Sequence, residues 1–255
     1  MPTAEQRAQA LERFGRHRAA WESNPALRAL YADWYGRIAA ALPPRALGPR
    51  IELGSGPGFA REFIPDLELT DVVGAPWLDR ELDADAIAAA DGSVGALVLF
   101  DVLHHLASPG RFFAEAARVL RPGGRAVLCE PFISPLSYPV YKFLHEEPVD
   151  MSVDPLAAEI HRSGATEKDP FDSNQAIPTR LFGRHRAAFA RMFPSLRVVS
   201  VERLAGLCYP ASGGFSRRPL LPMPVWRPLY HLERWLPTSA FRLIGFRLLA
   251  VIERT

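Results

Sequence analysis

The chain has 255 residues, 48% of them hydrophobic and 23% charged, enough for one large domain or two small ones. A charged N-terminus from Glu5 onward excludes a signal core, and the most apolar C-terminal run, Phe241 to Ile252, is broken by Arg242 and Arg247. Two distant cysteines, Cys129 and Cys208, exclude a disulfide framework, so the reading is a cytoplasmic protein with no transmembrane segment.

The net charge of +2 is unevenly spread. Basic residues outnumber acidic ones 8 to 4 over residues 1–50, fall behind 9 to 21 over residues 51–176, and lead 13 to 3 over residues 177–255. The basic tail can hold an anionic substrate or make peripheral membrane contact. No nucleic-acid module is present, so no nucleic-acid partner is expected.

Helical spacing of Ala8, Leu11, Phe14, Arg18 and Trp21 predicts an amphipathic helix over residues 5–22. Asn24-Pro25 breaks it and starts a second helix through Leu27, Leu30, Tyr31, Trp34, Ile38 and Leu42, ended by Pro43-Pro44. The aromatic stripe of Trp21, Tyr31, Trp34 and Tyr35 is either core or binding wall.

Ile51-Glu52-Leu53-Gly54-Ser55-Gly56-Pro57-Gly58 is a short strand ending in a glycine turn, and Ala60 to Ile64 begins a helix-like run. Such a turn admits a ligand close to the backbone, and free N–H groups favour an anionic one. A dinucleotide fingerprint wants Gly-x-Gly-x-x-Gly, and Phe59 stands where its last glycine belongs.

From Ile51 to Glu130 the pattern alternates strand and helix, which predicts a parallel sheet. Its strands are Leu67–Asp71, Leu97–Phe100 followed by Asp101, and Arg125–Glu130. A helix over Pro109–Leu120 is stopped by Arg121-Pro122-Gly123-Gly124. The glycine turn, Asp71, Asp101 and Glu130 thus share the carboxyl edge, where open parallel sheets bind ligands. Residues 131–180 are loop-rich, with His145, Glu146, Glu147 and Asp150 clustered. A helix over Leu181–Phe193 and a strand over Leu196–Val201 follow, then irregular chain with helix-like stretches at Tyr230–Leu236 and Ser239–Leu243.

Four motifs now stand in order: Glu-Leu-Gly-Ser-Gly-Pro-Gly (52–58), Ala-Asp-Gly-Ser (90–93), Phe-Asp-Val-Leu-His-His-Leu (100–106) and Arg-Val-Leu-Arg-Pro-Gly-Gly (118–124). Together they resemble the cofactor half of class I S-adenosylmethionine-dependent methyltransferases, small-molecule acceptor branch. The resemblance implies a Rossmann-like α/β fold: a mostly parallel seven-stranded sheet, helices on both faces, and a reversed strand at the edge, for which Phe246–Ile252 is the candidate. It further implies a single methyltransferase domain over residues 1–255. Residues 1–48 would be leading helices, 49–131 the cofactor-binding half, and 132–180 and 205–240 an inserted lid around the acceptor.

S-Adenosylmethionine would then lie against Glu52, Gly54, Ser55, Gly56 and Gly58, with Asp71 accepting from the ribose hydroxyls. Asp83 and Ala84 would meet adenine, with Asp85 the rival, and Asp101 would face the methionine portion or the acceptor. Candidate bases are His105, His145 and Glu130, and acceptor contacts are assigned to Tyr141, Tyr138 and Trp34. No metal is expected, because no well-spaced second ligand set accompanies His145. The implied activity is methyl transfer to oxygen, carbon or nitrogen of a small, rather hydrophobic acceptor. A non-catalytic methyltransferase-like binding protein is the alternative, and a dinucleotide oxidoreductase is disfavoured by Phe59. Acceptor identity, methylated atom and oligomeric state are not legible.

Overall fold

In the computed structural model, which describes residues 2–160 and 173–255, two helices precede the sheet. Helix α1 (Ala4–Ser23) starts at Thr3, whose side chain and that of Gln6 form a reciprocal capping box. Helix α2 (Pro25–Ala41) starts at Asn24, which accepts from the Leu27 N–H, and has proline in its first turn. α1 buries only Ala10 and Trp21, whereas α2 buries Leu27, Leu30, Tyr31, Trp34, Tyr35 and Ile38. The first helix therefore leans on the molecule, and the second belongs to its core.

The seven strands are β1 (Arg50–Leu53), β2 (Leu67–Asp71), β3 (Arg80–Glu81), β4 (Val94–Phe100), β5 (Leu120–Pro131), β6 (Leu196–Leu204) and β7 (Arg247–Arg254). They lie in the order β3-β2-β1-β4-β5-β7-β6, and only the pairings made by β7 are antiparallel. This is the Rossmann-like class I methyltransferase sheet. The reversed strand sits one place in from the edge, between β5 and β6. Its residues Arg247 to Ile252 are all buried, which requires cover on both sides. Strand order reverses at β1 and β4, opening the crevice where such sheets take ligands.

The remaining helices are α3 (Pro109–Val119), α4 (Ser137–Leu144), α5 (Ile177–Phe182), α6 (Arg186–Met192), α7 (Cys208–Ala211), α8 (Met223–Glu233) and α9 (Phe241–Ile244). On one face of the sheet α3, α5 and α6 contribute Phe112, Phe113, Leu181 and Phe189 to a core with Leu97 and Leu99. On the other, Leu30, Trp34 and Ile38 of α2 and Trp226 of α8 pack with Ile64, Leu67, Leu69 and Val98.

Several expected elements are revised. The run after the glycine turn is a single 3-10 turn, Phe59–Glu62, and no helix lies between β2 and β4. Only eight residues separate Gly58 from β2, and Pro65 is among them, so a helix has no room. The face it would cover is filled by α2 instead. The helix expected over Leu181–Phe193 is two, α5 and α6, parted at Gly183. Residues 137–144, read as loop, form α4. The part of the inserted lid over residues 161–172 lies outside the described residues. No described helix is long and apolar enough to cross a membrane.

Candidate active site

The glycine turn is held from several sides. Gly54, Gly56 and Gly58 have φ of +69°, +49° and +80°, which side chains resist. A Cβ on Gly54 would lie 2.5 Å from Val102, one on Gly58 2.7 Å from Trp77, and one on Gly56 3.3 Å from Phe14 of α1. Trp77 Nε1 donates to the Gly56 carbonyl (2.8 Å). Arg18 of α1 lies over that indole, 4.6 Å from its centre, and donates to the Pro57 carbonyl (2.8 Å). The first helix thus closes over the turn.

The carboxylates at the strand ends are differently engaged. Asp71 accepts from the Gly56 N–H through Oδ2 (2.9 Å) and from the Val73 N–H through Oδ1 (3.0 Å), while burial raises its pKa. Glu52 is buried; Oε1 accepts from the Tyr35 hydroxyl (3.0 Å), and Oε2 has no partner. Burial pushes its carboxyl up to about 7. Asp83 accepts from the Asp85 N–H (2.9 Å), and beside it Ala84 is buried. Asp101 has φ +58°, uncommon for a residue with a side chain. Its Oδ1 accepts from Arg247 Nη2 (2.6 Å), and that buried guanidinium lies over the Trp34 and Phe100 rings, 4.8 and 4.9 Å from their centres.

The turn from Gly54 to Pro57, with Glu52, Asp71, Asp83, Ala84, Asp101 and Arg247, borders one cavity of about 830 Å³, in the range of pockets that enclose drug-sized ligands. Its opposite wall comes from segments far apart in sequence: Phe14 and His17 of α1, Tyr31 of α2, His105, Tyr141 and His145, and Phe215. His17 stacks on Phe215 at 4.4 Å, and burial lowers its pKa to about 4.

Behind His105 lies a charge relay of buried groups. Glu130 Oε1 accepts from the N–H groups of Val102 and Leu103 (2.9 and 2.8 Å), and its Oε2 is 2.7 Å from His104 Nδ1. His104 Nε2 is 3.2 Å from Glu147. Burial opposes charge on His104, but hydrogen bonds to the two carboxylates outweigh it and lift the imidazole to about 10. Burial likewise favours neutral Glu147, but His104 overrides it and holds the carboxyl well below its usual range. Gln175 Nε2 also donates to Glu147. His105 goes the other way: burial, then the adjacent imidazolium, lowers it to about 4. Its Nε2 is 3.7 Å from Glu147, and its Nδ1 is buried without a partner. It is a neutral imidazole with an uncommitted nitrogen.

Four sequence assignments need correction. Gly58 does not border the cavity, and its N–H donates to the Ser55 carbonyl (2.9 Å). Glu130 does not border the cavity; it serves backbone N–H groups and His104. Trp34 is buried in the core beneath Arg247, and Tyr138 is partly exposed and outside the cavity lining, so neither forms the wall. Tyr141 does border it, but its hydroxyl donates to the Phe246 carbonyl (2.7 Å). His145 is exposed and accepts from the Glu147 N–H (3.1 Å). Sequence reasoning missed His104, Glu147 as a partner of both histidines, and Arg247. The last had a signal: an arginine inside an apolar strand must be paired. Donor atoms of His104, His105 and Glu147 lie within 4.8 Å of one another. Both His104 nitrogens face carboxylates, however, and the protonated ring has no lone pair for a cation.

Comparison with known proteins bears on the domain and its fold. The family described as "Methyltransferase domain" matches residues 59–128. An uncharacterised 37.1 kDa protein in transposon TN4556 of Streptomyces fradiae is 46% identical over 57 residues, which is 22% of this chain and 16% of that protein's length. Among solved structures, the complex of the Haloferax volcanii Trm112 methyltransferase activator with a methyltransferase gives a TM-score of 0.52 at 18% identity, covering 100% of this chain and 99% of that one. The geranyl diphosphate C-methyltransferase of Streptomyces coelicolor A3(2) gives 0.46 at 13% identity, covering 90% and 81%. Residues 59–128 thus match a methyltransferase domain, and the chain shares the fold of the Haloferax volcanii methyltransferase structure.

Proposed function

We propose that the protein transfers the methyl group of S-adenosylmethionine to a small, rather hydrophobic acceptor held against the aromatic and histidine wall. The observation that supports this reading is the single cavity shared by the glycine turn and by His105. The residues suit the cofactor: a glycine turn that borders the cavity at Gly54 and Gly56, and a buried carboxylate oxygen, Glu52 Oε2, still lacking a donor. In this reading the backbone at Gly54, Ser55 and Gly56 receives the methionine end. Asp71, already anchored by two N–H groups, accepts from the ribose hydroxyls through its remaining lone pairs. Asp83 and Ala84 border the adenine, and Asp101, held by Arg247, faces the methionine portion.

When bound, S-adenosylmethionine supplies a methyl carbon activated by its sulfonium. The chain's own task is to align an acceptor atom in line with that carbon and to exclude water. Phe14, Tyr31 and Phe215 provide the apolar walls. His105, a neutral imidazole on the cavity wall, is the first candidate to take the acceptor proton. An oxygen or carbon acid needs such a base, whereas a neutral amine does not. His145, at the exposed side of the cavity, is the second candidate.

The test is a screen of extracts for products heavier by one methyl group, with and without the protein. A methylated apolar product that requires the protein supports the proposal. Tight cofactor binding with no methylated product from any extract would instead favour the non-catalytic alternative.

A further inference from the structure

The segment from Gly206 to Phe246 carries an unusual surface. Leu220, Leu232, Trp235 and Leu243 are 72, 65, 87 and 62% exposed. Helix α8 buries Trp226 and Tyr230, yet it also turns Val225, Leu229 and Leu232, at helical spacing, toward solvent. The exposed charges of the segment are all arginines: Arg217, Arg218, Arg227, Arg234 and Arg242. Its one acid, Glu233, is turned inward, accepting from the N–H groups of Gly206 (2.8 Å) and Cys208 (2.9 Å). Among these arginines, Arg234 has a carboxylate partner, Asp33 at 3.4 Å.

The face also adjoins the cavity. Gly213, Gly214, Phe215 and Arg217 line it together with Leu220, and Arg217 donates to the carbonyl of Leu144 (3.1 Å). Leu144 and its neighbour Phe143 are themselves 57 and 75% exposed. An apolar surface tipped by tryptophan, on a segment whose exposed charges are all arginines, matches two features of a bilayer at once. Tryptophan settles at the headgroup boundary, leucine enters the acyl edge, and arginine meets anionic lipid. An ordinary solvent-facing surface would mix both signs of charge and expose fewer large apolar side chains.

We propose that this face docks the protein on an anionic lipid bilayer. Docking places the wall formed by Gly213 to Arg217 beside the membrane, so an acceptor dissolved in the bilayer reaches the cavity without crossing water. The docking stands on the surface alone; the route of the acceptor rests on the proposed function, and vesicle binding tests the first without the second.

The experiment is flotation of the full chain with vesicles of equal parts phosphatidylglycerol and phosphatidylcholine, against vesicles of phosphatidylcholine alone. The protein is expected to float with the anionic vesicles, to be released by high salt, and to remain in solution with the neutral ones. Replacing both Trp235→Ala and Leu232→Ser should lower the bound fraction about tenfold or more. Arg218→Ser and Arg242→Ser should each lower it about fivefold. Unchanged binding of S-adenosylhomocysteine by these variants shows that they are folded. Failure to float, or equal flotation on neutral vesicles, overturns the proposal. So does a wild-type dimer in sedimentation that the Trp235 variant dissociates, since a second copy then covers the face.

Discussion

The two ends of the cavity are made from different material. The cofactor end is backbone and strand termini within a short stretch, Glu52 to Asp101, presented by a parallel sheet at its switch point. The acceptor end is side chains borrowed from α1, α2, the loop after β4, the insertion after β5 and the segment after β6. The first is rigid because its glycines are closed in by Val102, Trp77 and Phe14. The second depends on buried charge, chiefly Glu130, His104 and Glu147, to hold loops that no ladder organises. The difference implies that damage to one end should spare the other.

The largest effect is expected from His104→Ala. It leaves the buried Glu130 without a cation and half-buried Glu147 with only Arg13, at 3.6 Å, which costs about 3–5 kcal/mol of stability. Urea unfolding reads this directly, and a loss below about 1 kcal/mol would show that the relay does not hold the loops. The pH dependence follows from the same pair. His104 binds its proton more tightly when folded, about 10 against 6.5, so its contribution is complete below pH 6.5 and is lost as pH rises through 10. Glu147 is held below its ordinary 4.5, so its contribution is complete above that value and is lost as pH falls.

His105→Ala should lower turnover of a hydroxyl acceptor about a hundredfold or more, with cofactor affinity unchanged. The acid limb of the wild-type rate should lie near pH 4 rather than near 6.5, because burial keeps His105 neutral. Steady-state rates across pH check both, and equal turnover in the variant would move the base to His145.

Asp71→Ala should weaken S-adenosylhomocysteine about tenfold or more, since a hydrogen bond to a charged group contributes about 1.5–3 kcal/mol. Calorimetry that finds parental affinity would reduce Asp71 to an anchor for the Gly56 and Val73 N–H groups. Tyr141→Phe should matter least, about 1 kcal/mol in stability and little in turnover. The Phe246 carbonyl it serves keeps the N–H of Phe132 (2.8 Å). A large turnover loss would put the hydroxyl in the chemistry.

This contrast also explains what the sequence made legible. The glycine turn, Asp71 and the fully apolar β4 obey local rules of spacing and burial, so the fold and the glycine-turn end of the cavity could be read in order along the chain. The shortened link after Gly58 could have been read too, because Pro65 and eight residues leave no room for a helix. The acceptor wall could not. His17 meets Phe215 and His104 meets Glu147 only through tertiary folding. Trp34 shows the same limit: its stripe with Tyr31 and Tyr35 is one helix face, yet Trp34 turns under Arg247 while the two tyrosines border the cavity.

The most direct test of the division is calorimetric titration of S-adenosylhomocysteine into the wild-type protein and the Gly56→Val variant. A β-branched side chain there meets Phe14 and resists a φ of +49°, in a turn otherwise supported from outside. The account predicts binding to the parent, none to the variant, and a retained circular dichroism spectrum and cooperative unfolding in both. A folded variant that binds as the parent does would contradict it.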